Sequence, residues 1–363
     1  MTTTVPAPAH GARRRPDGRP GSLYAELSAQ VQAAGLMRRR YGYYWARFAA
    51  LLGALAAVLV GSVLVGHSWW QLVLAAVLGV VVTQVAFLGH DAAHRQIFAS
   101  GRWNDWATLV LAPLLTGISA SWWVRKHTKH HAAPNQVGTD PDIAPGALVF
   151  HPGALVGRSR LGRALAARQG WLFFPLLLLE GLNLHVQGVR ALCARGPVKR
   201  RWVELSFITV RLGGYLALLA WLLPPGIAAA FLGVQLAVFG LYMGCSFAPN
   251  HKGMPVVPEG VRLDFLRRQV LMSRNVSGGR FTTFALGGLN HQVEHHLFPS
   301  MPRPALRRAR QLVRPFCARH EVTYTETSLV RSYGIVVRHL NEVGLGARDP
   351  FECPLVTSWR PRG

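Results

Sequence analysis

Acidic side chains are scarce in this chain: 16 Asp and Glu stand against 40 Lys and Arg in 363 residues, a formal charge of +24. Cysteine is scarcer still. Cys193, Cys245, Cys317 and Cys353 form no CxxC pair and no disulfide-like spacing, which excludes a disulfide scaffold and fits a reducing compartment. No HExxH segment occurs, so a zinc hydrolase of that type, with its general base among the ligands, is excluded. No flavin or dinucleotide fingerprint is visible. The first 40 residues are polar and Arg-rich, so no secretory signal is expected there, and residues 1–22 read as a disordered basic tail.

Apolar residues are abundant: half of the chain is hydrophobic and its mean hydropathy is +0.21. That is high for a chain with so many basic residues, and the two facts reconcile because the classes are segregated. Residues 48–66 and 71–89 carry no charge, each close to the ~20 residues that cross ~30 Å of hydrocarbon as a helix. Residues 205–223 and 226–248 are the other candidate spans; the first contains Arg211, expected to snorkel toward the interface. Two further apolar stretches, 107–123 and 171–189, are interrupted by Pro113 and Gly117 in one and by Glu180, Asn183, His185 and Gln187 in the other.

The links 67–70 and 224–225 contain no Lys or Arg, whereas the remaining connections hold nearly all of them. By the positive-inside rule this predicts two tight helical hairpins, with both termini and the basic surface cytoplasmic. The interrupted stretches are expected to lie on the interface or dip into it. The fold class is therefore an all-α integral membrane protein with four spans, interfacial helices and a helical cytoplasmic cap. Nucleic acid is excluded as a partner, because the spans argue against a soluble fold with a basic face. Anionic membrane lipid suits the charge better.

Nine of the 15 histidines sit in four short segments at predicted membrane boundaries or in cytoplasmic segments, and eight of them stand out as candidate ligands beside His291. They are His90 and His94 in HDAAH, His127, His130 and His131 in HTKHH, His251 after Asn250, and His295 and His296 in HQVEHH. Residues three and four apart share a helix face, with Cβ atoms about 5–6 Å apart, so each segment can grip a metal and HTKHH can serve two. Ligand type alone leaves iron, zinc and copper open. A metal carrier or haem-binding membrane subunit is the non-enzymatic alternative.

HDAAH, HTKHH and HQVEHHLFP, together with the intervening hairpin, resemble the three histidine boxes of the membrane fatty acid desaturase family. The stretch from Gln292 to Pro299 resembles the third box of front-end and related acyl desaturases, in which Gln replaces the first histidine. The resemblance implies a membrane desaturase domain at residues 23–312, a cytoplasmic C-terminal extension at 313–363, and an oxidoreductase that inserts a cis double bond into a fatty acyl chain. Two iron ions, O₂ as co-substrate and an external electron donor such as ferredoxin with its reductase are implied with it. The implied ligands are His90, His94, His127, His130, His131, His251, His295 and His296. Gln292, His291, Asn250 and His185 are candidate ligands or supports. Histidine ligands are neutral, so nearby carboxylates are expected to orient them and offset the metal charge; Asp91, Asp140, Asp142 and Glu294 are the candidates. The fatty acyl substrate could be carried on CoA, a carrier protein or a lipid. Hydroxylases, acetylenases and carotenoid-modifying oxygenases of the same scaffold are the alternatives.

Overall fold

The computed structural model describes residues 22–346, so most of the expected tail and the last part of the C-terminal extension, with Cys353, lie outside it. Ser22 opens the first helix as its N-cap, its hydroxyl accepting from Ala25 N. In chain order the helices are α1 (Leu23–Ala33), α2 (Tyr41–Val65), α3 (Gln71–Ala93), α4 (Gly101–Leu109) and α5 (Ala120–Ala132). They continue with α6 (Arg160–Ala166), α7 (Gln169–Leu177), α8 (Glu180–Cys193), α9 (Arg201–Leu222) and α10 (Pro225–His251). The remainder are α11 (Phe265–Leu271), α12 (Arg280–Ala285), α13 (Gln292–Leu297), α14 (Arg303–Arg319) and α15 (Leu329–Gly344). Two short strands, β1 (Arg274–Ser277) and β2 (Thr325–Ser328), pair in parallel with Arg274 opposite Thr325.

Among the described residues four helices are long and apolar enough to cross a membrane: α2, α3, α9 and α10. Each extends a few residues beyond the charge-free runs, because the polar boundary residues continue the backbone hydrogen bonding. The two interrupted stretches are broken helices. Gly101–Thr116 and α5 meet at 114°, and α7 and α8 at 73°. The first break has a local cause. Pro113 lacks an amide hydrogen, residues Val110–Thr116 wind as a π-helix, and Gly117 closes the segment at φ 86°. His185 of α8 bonds through Nδ1 to Gly117 O at 2.9 Å. Arg211 of α9 is anchored at the same break: its Nε donates to Leu115 O at 2.9 Å, a carbonyl that the break leaves without a helical partner.

The same logic explains α10. Pro249 cannot donate to Cys245 O, and the Tyr333 hydroxyl donates to that carbonyl instead, at 2.8 Å. Glycine sets how closely α8 crosses α10. A Cβ at Gly181 would lie 2.3 Å from Leu236 O, and one at Gly240 would lie 2.3 Å from Gly181 N, so the two backbones touch.

Outside the spans the packing is that of an ordinary core. Leu27, Val31, Leu266, Val270, Leu297 and Phe316 are buried together, joining α1, α11, α13 and α14. The boundary expected at 312/313 falls inside α14, whose buried face runs on through Val313, Phe316 and Cys317. The segment beyond it supplies β2 and then α15, which lies against α7.

Candidate metal centre

Four helix ends deliver the histidines. His90 lies in the last turn of α3 and His94 caps it; the chain then turns sharply through Arg95 at φ 57°. His127, His130 and His131 occupy the last turns of α5, His251 ends α10, and His295 and His296 sit on α13. Two clusters result among the described residues. His90, His94, His127, His131 and His295 form one, His130, His251 and His296 the other, with the ligand-type atoms within each no more than 4.8 Å apart. The i, i+3, i+4 spacing of HTKHH thus sends His127 and His131 to the first cluster and His130 to the second.

In the three-histidine cluster the proton positions follow from the partners. His130 Nδ1 faces Asp140 Oδ2 at 3.0 Å, and His251 Nδ1 faces Met272 O at 3.0 Å. His296 Nδ1 faces Gln269 Oε1 at 2.9 Å; that amide is oriented by its own donation to His131 O. Each partner accepts, so each Nδ1 carries the hydrogen and each Nε2 presents a lone pair. The Nε2 atoms of His130 and His251 face each other at 3.3 Å, and His296 Nε2 is buried with no hydrogen-bond partner. Converging lone pairs repel unless a cation lies between them.

The five-histidine cluster shows the same signature with less hydrogen-bonded support. His127 Nε2 lies 2.8 Å from His94 Nε2 and 3.0 Å from His131 Nε2, while the Nε2 atoms of His90 and His295 are buried without a hydrogen-bond partner. Metal–imidazole bonds of ~2.0–2.1 Å put neighbouring ligand nitrogens about 3–3.4 Å apart, close to these separations. Burial and then the neighbouring imidazoles hold His295 and His296 well below the usual imidazole range, which keeps them neutral lone-pair donors. The residues present fit metal ions at both clusters.

The carboxylates divide by task. Asp140 bonds His130 and also accepts from Asn135 N at 2.7 Å. Asp142 lies 3.4 Å from His130 Nδ1 and pairs with Lys126 at 2.8 Å. Asp91 lies 3.7 Å from His90 Nδ1, and its close partner is the buried Arg303, at 2.7 Å. Glu294 accepts from Asn275 Nδ2 and the Tyr324 hydroxyl, both at 2.7 Å, and so ties α13 to β1 and to the residue just before β2. Burial raises its carboxyl to about 7.

Gln292 and His291 separate clearly. The Gln292 side chain reaches into the second cluster, 2.9 Å from His251 Nε2 and 3.3 Å from Asn250 Nδ2. His291 points elsewhere, with Nε2 near Asn290 Nδ2 at 3.3 Å, and belongs to neither cluster. His185 is held at the Gly117 bend.

Several supporting residues carry no motif. Trp123 stacks on His127, ring centroids 4.4 Å apart. Glu204 of α9 is buried and caps the start of α5, accepting from Ser119 Oγ at 2.7 Å and Ser121 N at 3.0 Å. Arg274 donates to Pro249 O at 2.8 Å and Lys252 O at 2.9 Å, closing the end of α10 beside His251. The sequence offered little signal for the last two: Glu204 stands just ahead of the 205–223 run, and Arg274 is one of several arginines between the last span and the third box.

A cavity of about 280 Å³ runs up to the clusters, walled by Trp122, Trp123, Met243 and Phe247 and by His127, His130, His251 and Gln292. It shares Trp122, Lys126 and Glu180 with a wider cavity of about 800 Å³ that adds Arg125 and Lys129.

The profile of the fatty acid desaturase family matches residues 67–328. The chain belongs to this family. Its curated relatives include a Delta(8)-fatty-acid desaturase of Helianthus annuus, 28% identical over 343 residues that cover 90% of this chain and 74% of the relative. Fatty acid desaturase 3 of Homo sapiens is 31% identical over 308 residues, 82% of this chain and 68% of the relative. A Delta 8-(E)-sphingolipid desaturase of Kluyveromyces lactis is 27% identical over 351 residues, 92% and 61%. This desaturase is an oxidoreductase of lipid metabolism, with helices able to span a membrane and histidine clusters able to hold metal.

Proposed function

We propose that the desaturase introduces a double bond into a fatty acyl chain at a pair of iron ions, one in each histidine cluster, using O₂ and two electrons from an external carrier. The observation that carries this reading is the convergence of Nε2 lone pairs in two adjacent buried clusters, one with every Nδ1 hydrogen already assigned to an acceptor. His90, His94, His127, His131 and His295 would hold one ion. His130, His251 and His296 would hold the other, with Gln292 at the corner beside His251.

An unactivated methylene has no acidic proton, so no side chain here can remove its hydrogen as a general base. Iron held there would supply the O₂-derived oxidant for removing two hydrogens from neighbouring carbons, the two external electrons and two protons completing the reduction of O₂ to two waters. The protein's part is position and dryness. Trp122, Trp123, Met243 and Phe247 would hold an acyl segment against the clusters and keep water out. Asp140, Met272 O and Gln269 keep three imidazoles in the metal-binding tautomer.

The spans would form two hairpins, α2 with α3 and α9 with α10, leaving the histidines on the cytoplasmic side under a cap built from α1 and α11–α15. The exposed Arg307, Arg308 and Arg314 of α14 suit an acidic electron carrier such as a ferredoxin. Expression in a host lacking the activity, followed by double-bond-locating mass spectrometry of total fatty acids, tests the proposal. A new unsaturated acyl chain that disappears in His130→Ala supports it; hydroxylated product without new unsaturation overturns it.

A further inference from the structure

A third, much smaller cavity lies against the five-histidine cluster. It measures about 30 Å³ and is lined by Ala86 and His90 of α3, Thr108 of α4, Ala112 and Thr116 of the π-helical segment, and Phe247 of α10, among others. The two hydroxyls on its wall are already engaged. The Thr108 hydroxyl donates to Asn104 O at 2.8 Å and the Thr116 hydroxyl to Leu111 O at 2.7 Å, so both residues present carbon to the space. Trp123, Met243 and Phe247 line this chamber and the 280 Å³ cavity alike, and so stand between the two. His90 lines the small chamber and not the larger cavity.

Size and lining decide what fits. A single water needs roughly 10–15 Å³ of such space and two to four polar partners. This chamber has the room of a diatomic molecule but not the partners, and apolar cavities of this kind stay dry and take up apolar gases. The outer wall is the π-helical segment, whose Val110 is exposed on a helix flanked by the apolar spans. A small apolar gas enters such a space more readily from hydrocarbon than from water.

We propose that this chamber is the O₂ site of the desaturase: it admits the gas on the His90 side, while the acyl chain occupies the larger cavity beyond Trp123 and Phe247. The proposal rests on the O₂-dependent reading above. Its first test needs no turnover: crystals of the purified, metal-loaded protein are pressurised with xenon, and bound xenon is located by its anomalous scattering. One site should appear in the wild type and vanish in Ala112→Leu, with Ala86→Val as a second filling variant. In steady-state assays the same variants should raise the KM for O₂ several-fold. The kcat at saturating O₂ and the acyl chain-length profile should stay unchanged. Absence of xenon from the wild type, or filled variants with an unchanged KM for O₂, overturns the assignment. A shifted chain-length profile overturns it too, by showing that the space holds the acyl tail. Wild-type enzyme that forms no product with O₂ fails the reading above instead, and the xenon result remains independent of it.

Discussion

The two histidine clusters share two helices, α5 and α13, yet they are held in different ways. In the three-histidine cluster each ring is fixed through its far nitrogen by Asp140, by the Met272 carbonyl or by Gln269. In the five-histidine cluster the rings hold one another by packing. His127 lies against Trp123, and His131 stacks across to His296 of the other cluster at 4.2 Å. The nearest carboxylate, Asp91, is committed to Arg303. Hydrogen bonds set ring tautomers one at a time, whereas packed rings and a buried ion pair set a whole helix end. The three-histidine cluster should therefore fail ligand by ligand and the five-histidine cluster as a unit.

The largest test removes a ligand outright. His130→Ala should empty the three-histidine cluster and abolish product, with iron content measured on purified protein; retained metal at that cluster would break the division. Arg303→Met comes next. It strands Asp91 as a buried unpaired charge beneath the first box, a change that costs about 3–5 kcal/mol. Thermal unfolding in detergent should show the loss, and it should fall more heavily on metal at the five-histidine cluster.

Asp140→Asn should be milder and local. Loss of the carboxylate behind His130 weakens metal affinity by roughly 10–100-fold at sites of this kind. Metal titration should show the three-histidine cluster weakened and the other unchanged. The smallest effect sharpens the question of the corner. Gln292→Ala should lower metal retention at the three-histidine cluster, whereas His291→Ala should leave metal stoichiometry as it is. The reverse outcome would move the ligand role to His291.

Much of the site was legible in the chain because helical spacing is local. HDAAH and HTKHH present their rings within one or two turns, and any helix carrying them must place those rings on one side. The four long apolar helices were legible for the same reason, since each run is continuous in sequence. The supports were not. Glu204 caps α5 from 85 positions away, and Arg303 reaches Asp91 from the far end of the chain. Nothing near either residue in sequence announces its partner. Arg211 makes the same point: its Nε bonds Leu115 O from 96 positions away, a carbonyl freed by the break after Pro113.

By itself, then, the sequence determined which stretches are helical and apolar and which histidines share a helix face, because periodicity and composition act over a few turns. Tertiary structure alone decided how eight imidazoles divide into five and three, that Gln292 rather than His291 meets His251, and that Asp91 is committed to Arg303. Those outcomes depend on where the ends of α3, α5 and α10 meet the short α13 helix. That meeting point is set by glycine-thin helix crossings, proline breaks and buried hydrogen bonds between residues far apart in the chain.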